Sequence, residues 1–511
     1  MTPPDMFCRF LAAKGALGSW VQKGAVADVL GGRAQPDPCH RTLLGARRGA
    51  LRSAWAVCAL GGLLALACVA GLHRVHAVER GAWLAKQLAV MDGGLAPELR
   101  EEKHAAMSAS ALAFYRGSAA LYWLDLGTSP QLSQFGGVAH TRTWLSGDAH
   151  PNNFGSVGDG RGGVVYDLDD FDESVVADYQ LDVWRLATAL IVFMRDRGGF
   201  SSADEVTVVD AFSERYLTAL EACVGTDIEK TTSFTAANTY GKLNDFLQGV
   251  ARKKSRDKLL QNYTRKDERG VRGLSPAVSS DLADVSPTVV AAIREAMPGY
   301  GATLHGGLRY SAQHFTVKSV AQRLHAGLGS LGSLRYYVQI EGATSEQDDD
   351  ILLDVKAQKA PSAYRNLAGD AMAATDQASG GSAAGRVVTA ARSLSTAVDD
   401  YLGTMKIAGV TYSVRERSPW KDHLDTEILN SVGRLSKLAE QWATVLAYAH
   451  ARADQDSPGH QLAYDFEQAV VSRTRGKHAE FRTLVRSVAT SNAVQVGEDY
   501  QAFRRTRRSP Q

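Results

Sequence analysis

Apolar residues recur at helical spacing over most of the chain beyond residue 78. Residues 79–125 are rich in strong helix formers, and Val183, Leu186, Leu190 and Phe193 share one face of a predicted helix. The segments predicted to be mainly helical are 79–125, 205–300, 386–403 and 430–452. This spacing indicates a body that consists mostly of helices.

The pattern is different between residues 136 and 171 and between residues 312 and 356. The first region has two extended runs around the glycine-rich turn 157–163, which predicts a hairpin. In the second region RYYVQIEG and ILLDVK predict strands that flank the acidic turn 347–350, and 375–385 (TDQASGGSAAG) predicts a loop. The expected fold class is therefore α+β, mostly helical, with a small sheet-containing part near 312–420.

Composition and charge narrow the range of functions. The 511 residues carry 57 Lys+Arg against 55 Asp+Glu, a formal charge of +2, which gives no reason to expect nucleic-acid binding. Four of the five cysteines precede residue 70 and no CxxC pair is present, so neither a zinc site nor a disulfide framework is predicted. The length is sufficient for two substantial lobes.

The N-terminal part predicts membrane targeting. Residues 53–72 form an uncharged run of 20 residues, about 30 Å as a helix, and Arg47, Arg48 and Arg52 precede it. Such a segment is either a retained anchor or a signal peptide cleaved after Ala77, and the alternative to targeting is a buried helix of a globular fold. We expect residues 1–46 to be a flexible arm or upstream translation from a wrongly assigned start, and residues 78–511 to lie outside the cytoplasm or, with the opposite topology, on its cytoplasmic face.

The first segment with chemical information is SGDAHPNNFG at 146–155, followed by VVYDLDDFDE at 164–173. Transfer of a phosphoryl group to a hydroxyl requires a carboxylate that accepts the hydroxyl proton and oxygen ligands that hold Mg²⁺ against the phosphates. We assign Asp148 as the base with His150 beside it, and Asn153, Asp167 and Asp169 as metal ligands. The alternative is that these residues only cap turns, with His150 bracing the loop.

The second segment contains Gly327, Gly329, Ser330 and Gly332, followed by two predicted strands, the second ending at Lys356. A strand after the glycines, rather than a helix, disfavours a dinucleotide-binding loop. The arrangement is typical of a loop that covers nucleotide phosphates, with Lys356 contributing a positive charge. The alternative is a simple hairpin with a surface lysine.

Both segments resemble known families. The GDxHxxN loop, the strand with its carboxylates and Asp178–Asp182 resemble the catalytic core of the aminoglycoside phosphotransferase and choline kinase branch of the kinase-like fold. FYRG, GDAHPNNFG, DLDDFDES, GLGSLGSLRY, LLDVKAQ and YSVRERSPWKD together resemble the bacterial family catalogued as domain of unknown function 2252, over residues 95 to 490. The resemblance implies a kinase-like two-lobed core in permuted order, with the glycine loop after the catalytic loop. The chain has Gln358 where that family pattern has an acidic residue, and no Glu follows Lys356 before Arg415 to pair with it.

The predicted organisation and activity follow from these segments. The expected divisions are an arm (1–46), an anchor or signal (47–77), a helical lobe (78–310), a sheet-containing lobe (311–425), and C-terminal helices with a basic tail (426–511). The expected activity is Mg²⁺-dependent transfer of the ATP γ-phosphoryl group to a small-molecule hydroxyl. A non-catalytic ligand-binding protein and a metal-dependent phosphoesterase are the alternatives. An extracytoplasmic body conflicts with the use of ATP, which is scarce there.

Overall fold

The computed structural model describes residues 79–304, 310–324, 327, 329, 331–455 and 462–508. The predicted arm (1–46) and the predicted membrane segment (47–77) lie outside these residues. Within the described ranges, no helix combines the length and the apolar character that crossing a bilayer requires. The fold is α+β with a predominance of helix, as the sequence pattern predicts.

Residues 79–91 are helical, and the helices that follow are numbered from Pro97. In chain order they are α1 (Pro97–Met107), α2 (Ala111–Gly117), α3 (Ala119–Leu126), α4 (Gln180–Arg197), α5 (Ser202–Cys223), α6 (Ile228–Thr231), α7 (Gly241–Lys253), α8 (Arg256–Tyr263), α9 (Pro287–Gly301), α10 (Gly369–Ser379), α11 (Ala383–Leu394), α12 (Val432–Arg452), α13 (Phe466–Thr474) and α14 (His478–Arg508).

The strands are short and every described pairing is antiparallel. They are β1 (Arg142–Leu145), β2 (Phe154–Gly158), β3 (Val164–Leu168), β4 (Val175–Asp178), β5 (Thr264–Lys266), β6 (Arg272–Leu274), β7 (Leu282–Ala283), β8 (Val317–Arg323), β9 (Arg335–Ile340), β10 (Ile351–Ala357), β11 (Gly403–Ile407) and β12 (Val410–Glu416). One sheet has six strands in the order β11-β12-β10-β9-β8-β7, whereas β1-β4, β2-β3 and β5-β6 are two-stranded.

Helix α4 is the centre of the larger core. Its residues from Gln180 to Met194 are buried on all sides, beyond the single apolar face that the sequence predicts. A helix enclosed on every side buries its polar residues as well, and Asp182 and Arg185 are among them. These two buried charges position the candidate site described below.

The six-stranded sheet has a separate core. Ile293, Met297 and Tyr300 of α9 pack against buried apolar residues of β9 to β12, such as Val338 and Val355. The predicted strands RYYVQIEG and ILLDVK correspond to β9 and β10, which pair in register from Ile351–Ile340 to Lys356–Arg335. The sheet therefore fixes the position of Lys356 at the far end of β10.

Two of the secondary-structure predictions are wrong in part. The predicted loop 375–385 is the junction of α10 and α11: Gly380, at φ +64°, ends the first helix, and the Ser382 hydroxyl accepts a hydrogen bond from the Gly385 amide to start the second. The helix predicted over 386–403 ends at Leu394. Residues 205–300 are mainly helical, as predicted, and also contain β5, β6 and β7, whose two or three residues are too few to give an alternating pattern.

Candidate functional site

Strand pairing brings the loop near residue 150 next to the acidic run near residue 170. In the β1–β4 pair, Leu145 lies opposite Val175, so the loop after β1 runs beside the residues that precede β4. In the β2–β3 hairpin, Phe154 lies opposite Leu168, and the Asp169 amide donates to the Asn153 carbonyl at 3.1 Å. The GDAHPNN loop and the acidic run are therefore neighbours.

Helix α4 fixes the start of this loop. The Asp182 carboxylate accepts hydrogen bonds from the amides of Ser146 at 2.7 Å and Gly147 at 3.1 Å. Gly147 has φ +79°, and a Cβ there would lie 1.9 Å from the Glu173 carbonyl oxygen. Only glycine fits this position, because both the backbone conformation and the close approach exclude a side chain. Asp182, in the third predicted kinase-like element, thus positions the loop.

Asp148 follows directly and is held by a buried arginine. Arg185 Nε donates to Asp148 Oδ1 at 2.8 Å, and its guanidinium lies 3.8 Å from the ring centre of Tyr115. Asp148 Oδ2 is the freer oxygen, at 3.6 Å from His150 Nε2. Burial raises the pKa of Asp148, although the charge of Arg185 opposes this shift. The carboxylate is therefore oriented and made more basic than a solvated aspartate.

His150 and Asn153 shape the loop around Asp148. His150 Nδ1 accepts a hydrogen bond from the Asn152 amide, and burial lowers the pKa of this imidazole well below its usual value. The Asn153 amide group donates to the Asp148 carbonyl at 2.7 Å, which leaves its Oδ1 as the remaining ligand atom. His150 thus braces the loop as a neutral side chain that caps the turn Pro151–Asn153.

The structure does not bring Asp167 and Asp169 to the same cavity as Asp148. Asp167 is only 2% exposed, and its Oδ2 accepts hydrogen bonds from the amide and the hydroxyl of Thr396. Asp169 is 3% exposed and forms an ion pair with Lys421 at 2.9 Å. Burial opposes the ionisation of Asp169, but Lys421 outweighs it and lowers the pKa of that carboxyl. Both carboxylates are thus used within the fold.

Lys356 has an acidic partner that lies far away in the sequence. Its ammonium group forms an ion pair with Asp172, and Gln358 Nε2 donates to the other oxygen of the same carboxylate at 3.1 Å. The residue that stands in place of the expected acid therefore supports the same ion pair. Burial opposes the ionisation of Asp172, but Lys356 prevails and lowers the pKa of this carboxyl.

Two adjoining cavities surround this ion pair. The hairpin cavity, about 260 Å³, lies under the tip of the β2–β3 hairpin and has an aromatic and aliphatic part. The loop cavity, about 460 Å³, contains Asp148 and Asn153 in its wall. Their common wall consists of Asp170, Asp172, Lys356 and Gln358.

Asp170 is a residue of the candidate site that the sequence assignment did not include. It lines both cavities, whereas Asp167 and Asp169 line only the hairpin cavity. Burial, followed by the negative charge of Asp172, raises the pKa of Asp170. The five carboxylates between 167 and 173 were the signal, but nothing in their spacing distinguishes Asp170, Asp172 and Glu173, which line the loop cavity with Asp148, from Asp167 and Asp169, which do not.

The predicted glycine loop contributes less to the cavities than expected. Gly329 lines the loop cavity, Gly327 is exposed, and Ser330 lies outside the described residues. Gly332 has φ +76°, and a Cβ there would meet Leu95 Cδ2 at 2.5 Å, so this glycine serves packing against that side chain. Of the predicted nucleotide-binding residues, Gly329 and Lys356 therefore reach the loop cavity.

The loop cavity contains oxygen donors that a cation such as Mg²⁺ could use. Asn153 and Asp170 both line the loop cavity, and Asp170 faces the unfavourable charge of Asp172, which a bound cation would offset. Two protein oxygens are a usual number for Mg²⁺, which takes its other ligands from water and phosphates. Among the described residues, one set of three possible metal ligands has its ligand atoms within 4.8 Å of one another. It consists of Asp454, Asp465 and Glu467 and lies away from this site.

The fold and the site define an α+β protein with a polar, internally ion-paired cleft. A family model described as an uncharacterized protein conserved in bacteria (DUF2252) matches residues 95–506. The chain therefore belongs to that family, as the motifs predicted. No curated protein and no solved structure matches the chain.

Proposed function

We propose that this chain transfers the γ-phosphoryl group of ATP to a hydroxyl of a small molecule, with Mg²⁺ as cofactor, in a kinase-like arrangement. The observation that carries the proposal is the common wall of the two cavities, because it joins Lys356 and Asp170 to the loop that contains Asp148. A nucleotide and an acceptor in adjoining cavities would meet at this wall.

The two cavities differ in the chemistry they offer. The hairpin cavity contains Trp420, Tyr310, Tyr401 and Val398, an environment that suits a purine base. Lys356 at the common wall suits the nucleotide phosphates as a positive charge. The loop cavity contains Asp148 and suits the acceptor. Each ligand thus has a separate compartment with appropriate polarity.

Asp148 is the proposed base. As the acceptor oxygen forms its bond to the γ-phosphorus, the hydroxyl proton passes to Asp148 Oδ2, while the bond from phosphorus to the bridging oxygen breaks and ADP leaves with that electron pair. Arg185 holds Oδ1, so Oδ2 remains for this role. Asn153 and Asp170 would hold Mg²⁺, which supplies charge neutralisation at the phosphate oxygens.

Titration of the full chain with ATP and Mg²⁺ tests the proposal. We expect Lys356→Ala and Asp170→Asn each to weaken ATP binding about tenfold or more, the effect of one charge-assisted contact. Lys406→Ala is the matched control, because Lys406 is an exposed strand lysine on β11. If the wild-type chain binds no ATP with Mg²⁺ present, the proposal is wrong.

One observation favours a second function, ligand binding without catalysis. Both Asp148 and Lys356 are ion-paired within the protein, to Arg185 and Asp172. ATP hydrolysis by water, measured in single turnover with excess enzyme, separates the two functions. Turnover that disappears in Asp148→Asn supports the phosphotransferase, whereas binding without any turnover supports the non-catalytic protein.

We also propose that residues 53–72 target the chain to a membrane, on the evidence of the uncharged run and the preceding arginines. A reporter fused after residue 77 tests this. A reporter that is soluble in the cytoplasm contradicts targeting. A reporter active outside the cytoplasm puts the body where ATP is scarce, and would then favour the non-catalytic function.

A further inference from the structure

Arg116 is a positive charge in the loop cavity that the fold leaves without a partner among the described residues. It lies at the end of α2 and lines the cavity close to Asp148 and Asp170, whose charges act on it. Its Nε is buried without a hydrogen bond, and no described residue accepts a hydrogen bond from this guanidinium or forms an ion pair with it. Other arginines around the site, such as Arg185 and Arg386, have acceptors.

Such a guanidinium is costly to bury. Burial lowers the pKa of Arg116, but an arginine side chain stays protonated in proteins, so the charge persists. The buried donor is Nε, and a buried donor without an acceptor loses its hydration without gaining a hydrogen bond. A ligand that supplies acceptor oxygens would recover this free energy.

Two more cations of the loop cavity also lack a carboxylate partner among the described residues. Lys359 is exposed at the rim, and Arg365 donates only to the amide oxygen of Gln87, at 3.1 Å. By contrast, Lys103 is paired with Asp92 at 2.6 Å. These three cations therefore form no ion pair among the described residues, although carboxylates such as Asp148 and Asp170 share the cavity with them.

We propose that the acceptor carries an anionic group, a phosphate or a carboxylate, and that Arg116 binds it in the loop cavity. The planar guanidinium fork matches both groups through two parallel hydrogen bonds. The position of Arg116 favours the acceptor over the nucleotide, because Arg116 lines the loop cavity with Asp148 and does not line the hairpin cavity. The assignment of the anion to the acceptor rests on the proposed function. The anion site itself does not depend on it.

Calorimetric titration of the full chain tests the anion site directly. The probes are glycerol 3-phosphate and glycerate, which pair a hydroxyl with a phosphate or a carboxylate, and uncharged glycerol for comparison. We expect binding of at least one anion, none of glycerol, and affinity about tenfold or more weaker in Arg116→Gln. Arg116→Lys should recover part of the affinity. Arg265→Gln, at an exposed arginine on β5, should match the wild type.

The outcomes distinguish this inference from the proposed function. Equal affinity of the wild type and Arg116→Gln for the anions, or no anion binding, overturns the inference. So does an Arg116→Gln variant that weakens ATP binding alone, since the guanidinium would then belong to the nucleotide. Anion binding that depends on Arg116, in a chain that binds no ATP, supports the anion site and overturns the phosphotransferase. Lys359→Gln, at the exposed rim, provides a second test if Arg116→Gln does not fold.

Discussion

Lys356 forms an ion pair with Asp172, a residue 184 positions earlier in the chain. The lysine at the end of β10 is thus tied to the acidic run after the β2–β3 hairpin, and the sheet is joined to the loop that carries Asp148. The pair also offsets part of the repulsion between Asp172 and Asp170. The ion pair therefore connects the two segments that the sequence singled out separately.

Loss of Lys356 should destabilise the fold as well as weaken nucleotide binding. The side chains of Lys356 and Asp172 are 13% and 24% exposed, so Lys356→Ala leaves a partly buried carboxylate next to Asp170. We expect the free energy of unfolding to fall by about 1–3 kcal/mol, measured by urea denaturation. The double variant Lys356→Ala/Asp172→Asn should lose less than the sum of the single changes. Additive losses would contradict an energetic link between the two groups.

Asp148 should matter to stability through Arg185. In Asp148→Asn the guanidinium of Arg185 keeps its cation–π contact with Tyr115 and its bond to the Tyr115 carbonyl, but loses its only carboxylate among the described partners. We expect a loss of about 2–4 kcal/mol in thermal or chemical denaturation. Adding Arg185→Met should restore part of this loss. If Asp148→Asn is as stable as the wild type, the ion pair contributes nothing to the fold.

Glu173 should give the protein a pH-dependent stability near neutrality. Burial raises the pKa of Glu173 to about 7, against about 4.5 in the unfolded chain, so the folded state holds a proton that the unfolded state releases. This contribution is present at low pH and is lost as the pH rises from about 4.5 to 7. It amounts to roughly 3 kcal/mol at most.

The test compares the free energy of unfolding of the wild type and Glu173→Gln between pH 4.5 and 7.5. The glutamine variant should show a smaller decline with rising pH, because it cannot release the proton. Glu98→Gln, at an exposed position in the first turn of α1, should follow the wild type. Parallel curves for the wild type and Glu173→Gln would show that Glu173 is ionised normally.

Gly147 and Gly162 provide a matched pair of glycines with positive φ. Gly162 has φ +90°, and a Cβ there would have no atom within 4 Å, whereas a Cβ at Gly147 would collide with the Glu173 carbonyl. We expect Gly162→Ala to cost about 1–2 kcal/mol from backbone strain alone. Gly147→Ala should cost clearly more, or prevent folding, and should displace Asp148. Equal melting temperatures of the two variants would contradict this geometry.

The sequence predicted the elements whose signals are local. The hairpin around 157–163, the strands β9 and β10 and the helix α12 follow from turn residues and periodic spacing within a few residues of each position. The loop from Gly147 to Asn153 was found for the same reason, as one continuous motif. Its likeness to a phosphotransfer loop stays a prediction.

The choice among the five carboxylates could not be made from the sequence. Strand β3 ends at Leu168, so alternation along a strand no longer tells which way residues 169–173 point. Thr396 forms hydrogen bonds with Asp167, and Lys421 forms an ion pair with Asp169. Both partners lie more than 200 residues further along the chain, so the sequence near the carboxylates does not reveal them. Arg185 did carry a signal, since it and Asp182 are the charges in the mostly apolar stretch from Gln180 to Met194, but its partner is also set by the fold.

The distance along the chain between Asp172 and Lys356 also has a consequence during protein synthesis. At about 5–20 residues per second, a ribosome needs roughly 9 to 37 s to make the intervening 184 residues. Asp148 and Arg185 are only 37 positions apart, so they can meet early in the nascent chain. The acidic run, in contrast, has neither Lys356 nor Lys421 as a partner until the second half of the polypeptide has been synthesised. The two cavities therefore acquire their common wall only late in translation.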